Sequence, residues 1–257
     1  MVNVNANALG IIFPNSYDNL IPEMVQKRTM ASVPFASRYR LIDFTLSGMV
    51  NAGVDNVTIM TRQNYYSLMD HLGSGREWDL ARKLGGLQII PPYARAGSKQ
   101  YHGRVEALHS IVGMLERQRE KYVIISDCNT ANNFDYAAFI EAHMQSGADV
   151  TVVYQKSIIP ESAKEDNYTF TLDSNGRVTE ILTNDYRNGV QNLSMNIYIM
   201  ERESLVTMVK DAMVRNLMLF ERDILGRNLQ LLHVQSYEYT GYCARISDIT
   251  SYFEENM

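Results

Sequence analysis

Residues 104–127 decide the fold class, because a helical pattern there runs directly into a buried strand. They read RVEALHSIVGMLERQREKYVIISD. Apolar residues such as Val105 and Leu108 recur at helical spacing over Arg104–Arg119. Tyr122–Ser126 is a short apolar run, as expected of a strand that is buried on both faces. This order of helix and strand is typical of an α/β protein.

Strand-like and helix-like segments alternate throughout the first 157 residues. We predict strands over Ala8–Phe13, Asn56–Thr61 and Asp149–Gln155, and a second helix over Asp135–Ser146. Such alternation favours a Rossmann-like, mostly parallel sheet that is flanked by helices on both faces. Ligands of such sheets bind beyond the carboxyl ends of the strands, so the residues that follow each strand are candidates for function.

The pattern becomes antiparallel after residue 160. Tyr168–Leu172 and Val178–Thr183 flank an Asp-Ser-Asn-Gly turn, and together they predict a β-hairpin. The further predicted elements are a strand over Ser194–Met200, helices over Glu203–Val214 and Met218–Leu229, a strand over Leu231–Tyr239 and a terminal helix over Ile249–Glu255. Since no linker or repeat interrupts this order, we predict one α/β domain over residues 1–257 with an antiparallel elaboration.

The composition excludes several classes of protein. A net charge of −5 gives no basic field that would attract nucleic acid. No apolar run approaches the ~20 residues that cross a bilayer, and the start of the chain lacks the pattern of a secretory signal. The two cysteines are too few for a disulfide framework or a structural zinc site. We therefore predict a cytoplasmic protein without nucleic-acid or membrane partners.

The loop after the first predicted strand lacks the residues that bind phosphate. Residues 14–20 read PNSYDNL and contain no glycine, whereas a phosphate loop needs glycines so that backbone amides can approach the anion. The carboxylate of Asp18 would also repel a phosphate. We interpret this segment as an ordinary turn.

Four basic residues, Lys27, Arg28, Arg38 and Arg40, fall within 14 positions. They could form an anion site in which arginine side chains grip a phosphate. The same residues could instead be solvated surface, with one arginine paired to Asp43. The sequence pattern alone leaves both interpretations open.

Asp127 follows the apolar strand Tyr122–Ser126 directly. A carboxylate at this position could bind Mg²⁺, which prefers one or two carboxylates together with phosphate oxygens. It could equally cap the next turn through its side chain.

Trp78 lies in a polar segment, where it is either part of an interface or a buried anchor.

Several longer segments resemble one enzyme family in the same order along the chain. Residues 27–53 read KRTMASVPFASRYRLIDFTLSGMVNAG, and residues 71–93 read HLGSGREWDLARKLGGLQIIPPY. Together with residues 103–110 and 195–198, they resemble the bacterial glucose-1-phosphate adenylyltransferases, or ADP-glucose pyrophosphorylases, over about residues 8–256. The resemblance implies a nucleotide-diphospho-sugar transferase fold. It also implies a reaction in which ATP and glucose 1-phosphate give ADP-glucose and diphosphate with the help of Mg²⁺.

The chain departs from the family wherever that chemistry is performed. Three glycines of the family's nucleotide loop are replaced by Pro14, Asn15 and Tyr17, and the loop arginine is replaced by Asn19. A conserved lysine of the family becomes Met30. 

Two further departures concern the metal and the sugar phosphate. The family's second metal-binding aspartate aligns with Leu219, and its sugar-phosphate lysine aligns near Asn184. Of the two metal-binding carboxylates only Asp127 is kept, as a vestigial catalytic position and a weak metal ligand. The resemblance therefore assigns no catalytic residue to this chain. It implies that the Mg²⁺ site is lost or weak.

The residues that the resemblance retains as candidates for binding a nucleotide or another anion are Lys27, Arg28, Arg38, Arg40, Tyr101 and Gly103. A scaffold kept while its chemistry is lost resembles the GlgD-type subunit, a regulatory or weakly catalytic partner of a GlgC-type catalytic subunit in glycogen synthesis. The alternatives are an active adenylyltransferase with relocated ligands and a sensor of sugar phosphate or ATP. We expect the family's C-terminal left-handed β-helix to be absent from this chain.

Overall fold

A computed structural model describes residues 6–92, 101, 103–159, 167–185 and 187–257. The backbone divides into two compact units. The first comprises Met1–Lys99, Ile125–Ala137 and Gly241–Met257, and the second comprises Gln100–Ile124 and Ala138–Thr240. A single domain over residues 1–257 stays a prediction.

The described strands and helices are numbered here in chain order. The strands are β1 Ala8–Phe13, β2 Pro34–Phe35, β3 Tyr39–Arg40, β4 Asn56–Met60, β5 Gly86–Ile90, β6 Tyr122–Asp127, β7 Thr130–Asn132, β8 Val150–Ile158, β9 Tyr168–Leu172, β10 Val178–Thr183, β11 Val190–Glu201, β12 Val234–Glu238 and β13 Cys243–Arg245. The helices are α1 Pro22–Val25, α2 Leu41–Asn51, α3 Tyr66–Leu72, α4 Arg104–Ser110, α5 Val112–Leu115, α6 Tyr136–Ser146, α7 Arg202–Val214 and α8 Ile249–Asn256.

The first unit contains a parallel sheet. Strand β4 lies between β1 and β5 and is parallel to both, with Gly10 opposite Val57 and Asn56 opposite Gly86. Every residue of β1 is buried, as its apolar composition predicts. Position 10 is a glycine for a steric reason, because a Cβ there would lie 2.7 Å from Sδ of Met49 on α2. The missing side chain lets α2 pack closely on the sheet.

Residues from the end of the chain complete the first unit. Strand β13 pairs with β7 in a short antiparallel ladder. On α8, the hydroxyl of Tyr252 donates a 2.8 Å hydrogen bond to the carbonyl of Pro34, and the amide of Ala36 donates to Oδ1 of Asn256 at 2.6 Å. Helix α8 is therefore fixed to the β2–β3 hairpin near the start of the chain.

The second unit is mostly antiparallel. Strand β8 pairs with β11 in antiparallel fashion and with β12 in parallel fashion. Strands β9 and β10 form a hairpin in which Val178 lies opposite Leu172. Gly176 adopts φ +77° in its turn, a conformation that glycine favours.

The predicted fold class is confirmed: the protein is mixed α/β, with a mostly parallel central sheet flanked by helices and separate small antiparallel sheets. The hairpin strands have the predicted limits. Within the described ranges, no helix combines the length and apolar character that crossing a lipid bilayer requires.

Two predicted helices are wrong in form. The helix expected over Arg104–Arg119 is broken into α4 and α5, because the chain leaves helical geometry at Ile111, where φ is −107°. The segment Met218–Leu229 is no α-helix. It contains a π-helical turn over Phe220–Leu225 and a 3₁₀ turn over Gly226–Asn228.

Candidate functional site

The loop that follows β1 is fastened to the rest of the first unit by its own side chains. The side-chain nitrogen Nδ2 of Asn15 donates to Oδ2 of Asp18 at 2.6 Å and to the carbonyl of Gln63 at 3.0 Å. Its Oδ1 accepts the backbone amide of Arg62 at 2.9 Å. A side chain that stands where the family has a glycine therefore ties the loop to the segment after β4.

Asp18 is half-buried and accepts a backbone amide from outside the loop. Its Oδ1 receives the N–H of Met30 at 2.7 Å. Burial raises the pKa of Asp18 to about 6, against the lowering effects of the hydrogen bonds from Asn15 and Met30 and the charge of Arg62. The amide of Met30 is thus bound to a carboxylate of the chain itself.

Amides within the loop also bond to the loop. The N–H of Asp18 donates to the carbonyl of Asn15 at 3.4 Å, and the N–H of Leu20 donates to that of Tyr17 at 3.1 Å. Pro14 and Tyr17 are buried, whereas Asn19 is exposed. Segment 14–20 has the geometry of a turn that satisfies two of its own amides rather than directing them towards a ligand.

Asp127 is buried at the end of β6, and its Oδ1 accepts a 2.7 Å hydrogen bond from the hydroxyl of Ser16. Among the described residues, no group of three histidine, cysteine, aspartate or glutamate side chains could hold a metal ion. A single buried carboxylate that already accepts a hydroxyl fits a Mg²⁺ ion poorly.

Arg40 is held by α3 rather than by the carboxylate of Asp43. Its Nη1 donates to the carbonyl of Ser67 at 2.5 Å and to the hydroxyl of the same residue at 2.8 Å. Asp43 accepts the backbone amide of Arg40 at 2.9 Å, and its other oxygen lies 2.6 Å from Nε2 of His71. For Arg40, the side-chain pair with Asp43 that one of the two interpretations included is replaced by this capping arrangement.

The other basic residues of this stretch differ in exposure. Lys27 and Arg38 are exposed, and the guanidinium of Arg38 lies 5.2 Å from the ring centre of Tyr39. Arg28 is half-buried. Burial and the neighbouring charge of Arg28 both lower the pKa of Arg40. The charges of Asp43 and Asp70 act on this pKa in the opposite direction. Both interpretations of the stretch remain predictions.

In the second unit, Gly103 immediately precedes α4. A Cβ at this position would lie 2.7 Å from the carbonyl oxygen of Met218, so the close approach requires glycine. The next residue, Arg104, forms an ion pair with Glu221 while its guanidinium lies 5.8 Å from the ring centre of Tyr198. Glu221 is buried and Arg104 is half-buried, so the arginine serves packing within the unit.

Leu219 lies beside a buried carboxylate that the sequence analysis did not identify. Oδ2 of Asp223 accepts the amides of Met218 and Leu219 at 3.2 and 3.1 Å. Arg222 donates to Oδ1 of Asp223 at 2.9 Å and holds the pKa of that carboxyl below its usual range. This carboxylate fixes the turn that replaces the predicted helix.

Asn184 offers an acceptor where the family has a cation. It adopts φ +54°, and its Oδ1 is buried without a hydrogen-bond partner among the described residues. The neighbouring Asp185 is bound by Arg187 and by the hydroxyl of Thr169 at 2.7 Å, and Arg187 lowers the pKa of Asp185 to about 2. The side chain of Asn184 carries no positive charge, and the carboxylate beside it would repel a phosphate. Tyr101 is half-buried.

The charge of Asp18 is evident in the sequence, but the residues that bind this carboxylate and the contact of His71 with Asp43 are not. No local motif marks these contacts. Trp78 is a half-buried anchor, because its Nε1 donates to the hydroxyl of Ser47 at 3.0 Å. For the contacts of Asp18 and His71, the sequence offers one signal, which is that polar side chains follow the ends of strands, where functional residues of such sheets lie.

Comparison with known proteins identifies relatives along most of the chain. A sequence model of the nucleotidyl transferase family matches residues 24–238. The chain is 40% identical over 151 residues to a glycogen biosynthesis protein GlgD of Geobacillus stearothermophilus, which covers 58% of this chain and 44% of the relative. It is 29% identical over 260 aligned positions to GlgD of Bacillus subtilis, covering 98% and 63% respectively.

A glucose-1-phosphate adenylyltransferase of Thermotoga maritima is 28% identical over 256 residues, covering 98% of this chain and 60% of the relative. The chain thus spans between 44% and 63% of the length of these three curated relatives. Among solved structures, a candidate glucose-1-phosphate thymidylyltransferase of Bacillus anthracis in complex with sucrose superposes with a TM-score of 0.74. That match covers 97% of this chain and 94% of the other at 14% identity, and it establishes the fold alone.

Proposed function

Because the chain belongs to the nucleotidyl transferase family, we propose that it serves glycogen synthesis as a regulatory or weakly catalytic subunit of glucose-1-phosphate adenylyltransferase. Its partner is a homologous GlgC-type catalytic subunit, which converts ATP and glucose 1-phosphate into ADP-glucose and diphosphate. The two GlgD relatives support the role in glycogen synthesis. The adenylyltransferase relatives support the tie to this reaction.

The observation that carries the proposal is the loop after β1. Asn15 and Asp18 bond to each other and to the surrounding backbone, and they place a carboxylate where the transferase reaction needs donors for a triphosphate. Removing one donor that stabilises developing charge costs on the order of 3 kcal/mol, or about 10²-fold in rate. Several such losses leave little turnover, even though their effects are not additive.

The surroundings of Asp127 support the same proposal. In the family, Mg²⁺ neutralises the phosphates, whereas here Asp127 is hydrogen-bonded to Ser16 and lies outside any group of three candidate ligands among the described residues. A hard cation with near-octahedral demands needs more oxygen ligands than this arrangement supplies. We infer that magnesium binding by this chain is weak.

A sensor of sugar phosphate or ATP is the second candidate function. It is favoured by the grouping of Lys27, Arg28, Arg38 and Arg40 within 14 positions, since arginine side chains grip phosphates well. An active adenylyltransferase with relocated ligands is the third candidate. It would use the retained Lys27, Tyr101, Gly103 and Asp127.

Two measurements on the full-length protein test the proposal. Release of pyrophosphate from ATP and glucose 1-phosphate should be far slower than the ~10 s⁻¹ of a typical enzyme. Titration into the catalytic homologue should change its activity or its response to effectors. Full turnover by the protein alone would establish the active-enzyme alternative, and a titration without any effect would reject the regulatory role.

The sensor is tested separately by calorimetry with glucose 1-phosphate, fructose 1,6-bisphosphate and ATP. Binding that is weakened by Arg40→Gln, with no turnover, would support it. An absence of heat with all three compounds would reject it. Lys83→Gln removes an exposed cation elsewhere in the first unit and is the matched control.

A further inference from the structure

We propose that a cavity in the second unit binds a small carboxylate with an apolar ring, that is, an aromatic monocarboxylate. The cavity lies between α7 and residues 217–232, and its volume is about 230 Å³. An apolar cavity of about 150 Å³ suffices for one benzene molecule, so this one has room for a ring with a short side group. The inference goes beyond the proposed function, because it concerns a ligand of the second unit and involves no partner subunit.

The walls of the cavity are mostly apolar. Six of the lining residues come from α7 and the segment after it and carry no polar side chain: Met208, Ala212, Leu217, Ile224, Leu231 and Leu232. Ala212 and Ile224 are buried, whereas Leu231 is 83% exposed. Covering such a leucine with an apolar ligand removes its surface from water, which favours binding.

Hydrogen bonds within the chain hold the wall that faces α7 in place. The backbone carbonyl of Asn228 accepts the amides of Leu231 and Leu232 at 2.9 and 2.7 Å. The side chain of Asn228 donates to the carbonyl of Ile224 at 2.7 Å. The cavity is therefore formed before a ligand arrives, so that binding does not have to order this segment.

The two carboxylates that line the cavity are already paired with arginine. Nε of Arg215 lies 2.9 Å from Oδ2 of Asp211, and Nε of Arg222 lies 2.9 Å from Oδ1 of Asp223. Nε of Arg227 lies 3.5 Å from the same oxygen of Asp223. These carboxylates therefore leave one arginine charge uncompensated.

Arg177 adds a fourth guanidinium. Its Nη2 donates to the backbone carbonyls of Leu229 and Leu232, both at 3.2 Å, and Leu232 lines the cavity. Within the described part of the chain, four guanidiniums thus contact lining or adjoining residues, whereas the lining supplies two carboxylates. Since guanidinium groups bind carboxylates through paired hydrogen bonds, an anionic head group matches this excess of positive charge. An apolar ring matches the walls.

Phenylacetate is the probe, and phenylacetamide is its neutral counterpart of the same shape. In NMR spectra of the whole chain labelled at its methionine methyl groups, phenylacetate should shift the signal of Met208, which lines the cavity. The signal of Met144, an exposed residue elsewhere in the second unit, should stay in place. At constant ionic strength, phenylacetate should bind at least about tenfold more tightly than phenylacetamide.

Leu231→Glu places a negative charge at the rim, and Leu231→Gln is its uncharged match at the same exposed position. The glutamate variant should bind phenylacetate at least about threefold more weakly than the glutamine variant does, whereas both should bind phenylacetamide equally. Arg215→Gln combined with Arg227→Gln should abolish most of the preference for the anion. Arg119→Gln removes another exposed arginine of the second unit and is the matched control. All four positions are exposed, so these variants should fold.

The inference is overturned if the signals of Met208 and Met144 move together or not at all, or if phenylacetate and phenylacetamide bind equally. It is also overturned if the double arginine variant behaves like Arg119→Gln. None of these results bears on the proposed regulatory role, which is measured by titration into the catalytic subunit.

Discussion

Oδ1 of Asp43 lies 2.6 Å from Nε2 of His71, while Oδ2 of the same carboxylate accepts the amide of Arg40 at 2.9 Å. One buried carboxylate therefore starts α2 and connects it to α3. Asp43→Asn should lower the free energy of unfolding by about 1–2 kcal/mol, because it weakens the cap and the bond to the imidazole.

Urea unfolding of Asp43→Asn, His71→Gln and the double variant measures how much of this loss belongs to the pair. We expect a coupling energy of about 0.5–1 kcal/mol between the two residues. Strict additivity of the two single changes would show that the contact between the ring and the carboxylate contributes nothing to stability.

The raised pKa of Asp18 predicts a pH dependence of stability. The folded state holds this proton up to about pH 6, whereas the unfolded chain releases it near the ordinary value of 3.8. The folded state therefore binds more protons between these values, and stability attributable to Asp18 falls as pH rises from about 4 to 6.

Asp18→Asn removes this titration while it keeps an oxygen for the amide of Met30. Relative to the wild type, the variant should gain about 1–2 kcal/mol between pH 4 and pH 8, after allowance for partial solvation. Chemical unfolding at these two pH values checks the difference. A constant difference would mean that Asp18 titrates normally in the folded protein.

Gly103 provides a steric prediction in the second unit. Gly103→Ala would place a Cβ 2.7 Å from the carbonyl oxygen of Met218, so one of the two segments has to move. We expect a loss of about 1–3 kcal/mol in thermal or chemical unfolding. Gly113→Ala in α5 is the control, because only the end of the Arg117 side chain lies near its Cβ, at 3.8 Å. That change should be neutral or stabilising.

The ion pair of the half-buried Arg104 with the buried Glu221 predicts an asymmetry between single and double substitutions. Arg104→Met alone should cost about 3–5 kcal/mol, since it leaves the buried carboxylate of Glu221 without this cation. Replacing both residues by apolar ones, as in Arg104→Met with Glu221→Leu, should cost much less. Equal or larger loss in the double variant would show that the pair itself stabilises the unit.

The sequence predicts those elements whose signal is local. The strand Ala8–Phe13 and the hairpin strands Tyr168–Leu172 and Val178–Thr183 have their predicted limits, because apolar runs and a glycine turn suffice to specify them. The helix predicted over Met218–Leu229 fails for a reason outside its apolar pattern. The side chain of Asp223 takes the amides of Met218 and Leu219 and bends the backbone into a tight turn.

The candidate site is less predictable than the fold. Loss of the loop glycines is legible in the sequence, but the partners of Asn15 and Asp18 are not. Those partners are the amide of Arg62 and the amide of Met30, which are brought to the loop by the folding of other segments. Contacts that join side chains to distant backbone have no periodicity and no motif, so only the structure reveals them.

The hydrogen bonds from α8 to Pro34 and Ala36 have a consequence for biosynthesis. A chain emerging from the ribosome presents its first hundred residues long before Tyr252 and Asn256 exist, so these two hydrogen bonds of the first unit form only after the residues of the second unit have emerged. The second unit, whose residues end at Thr240, meets no such delay. We therefore expect proteolysis of stalled nascent chains to find the later-encoded half protected first, which reverses the usual order of maturation from the amino terminus.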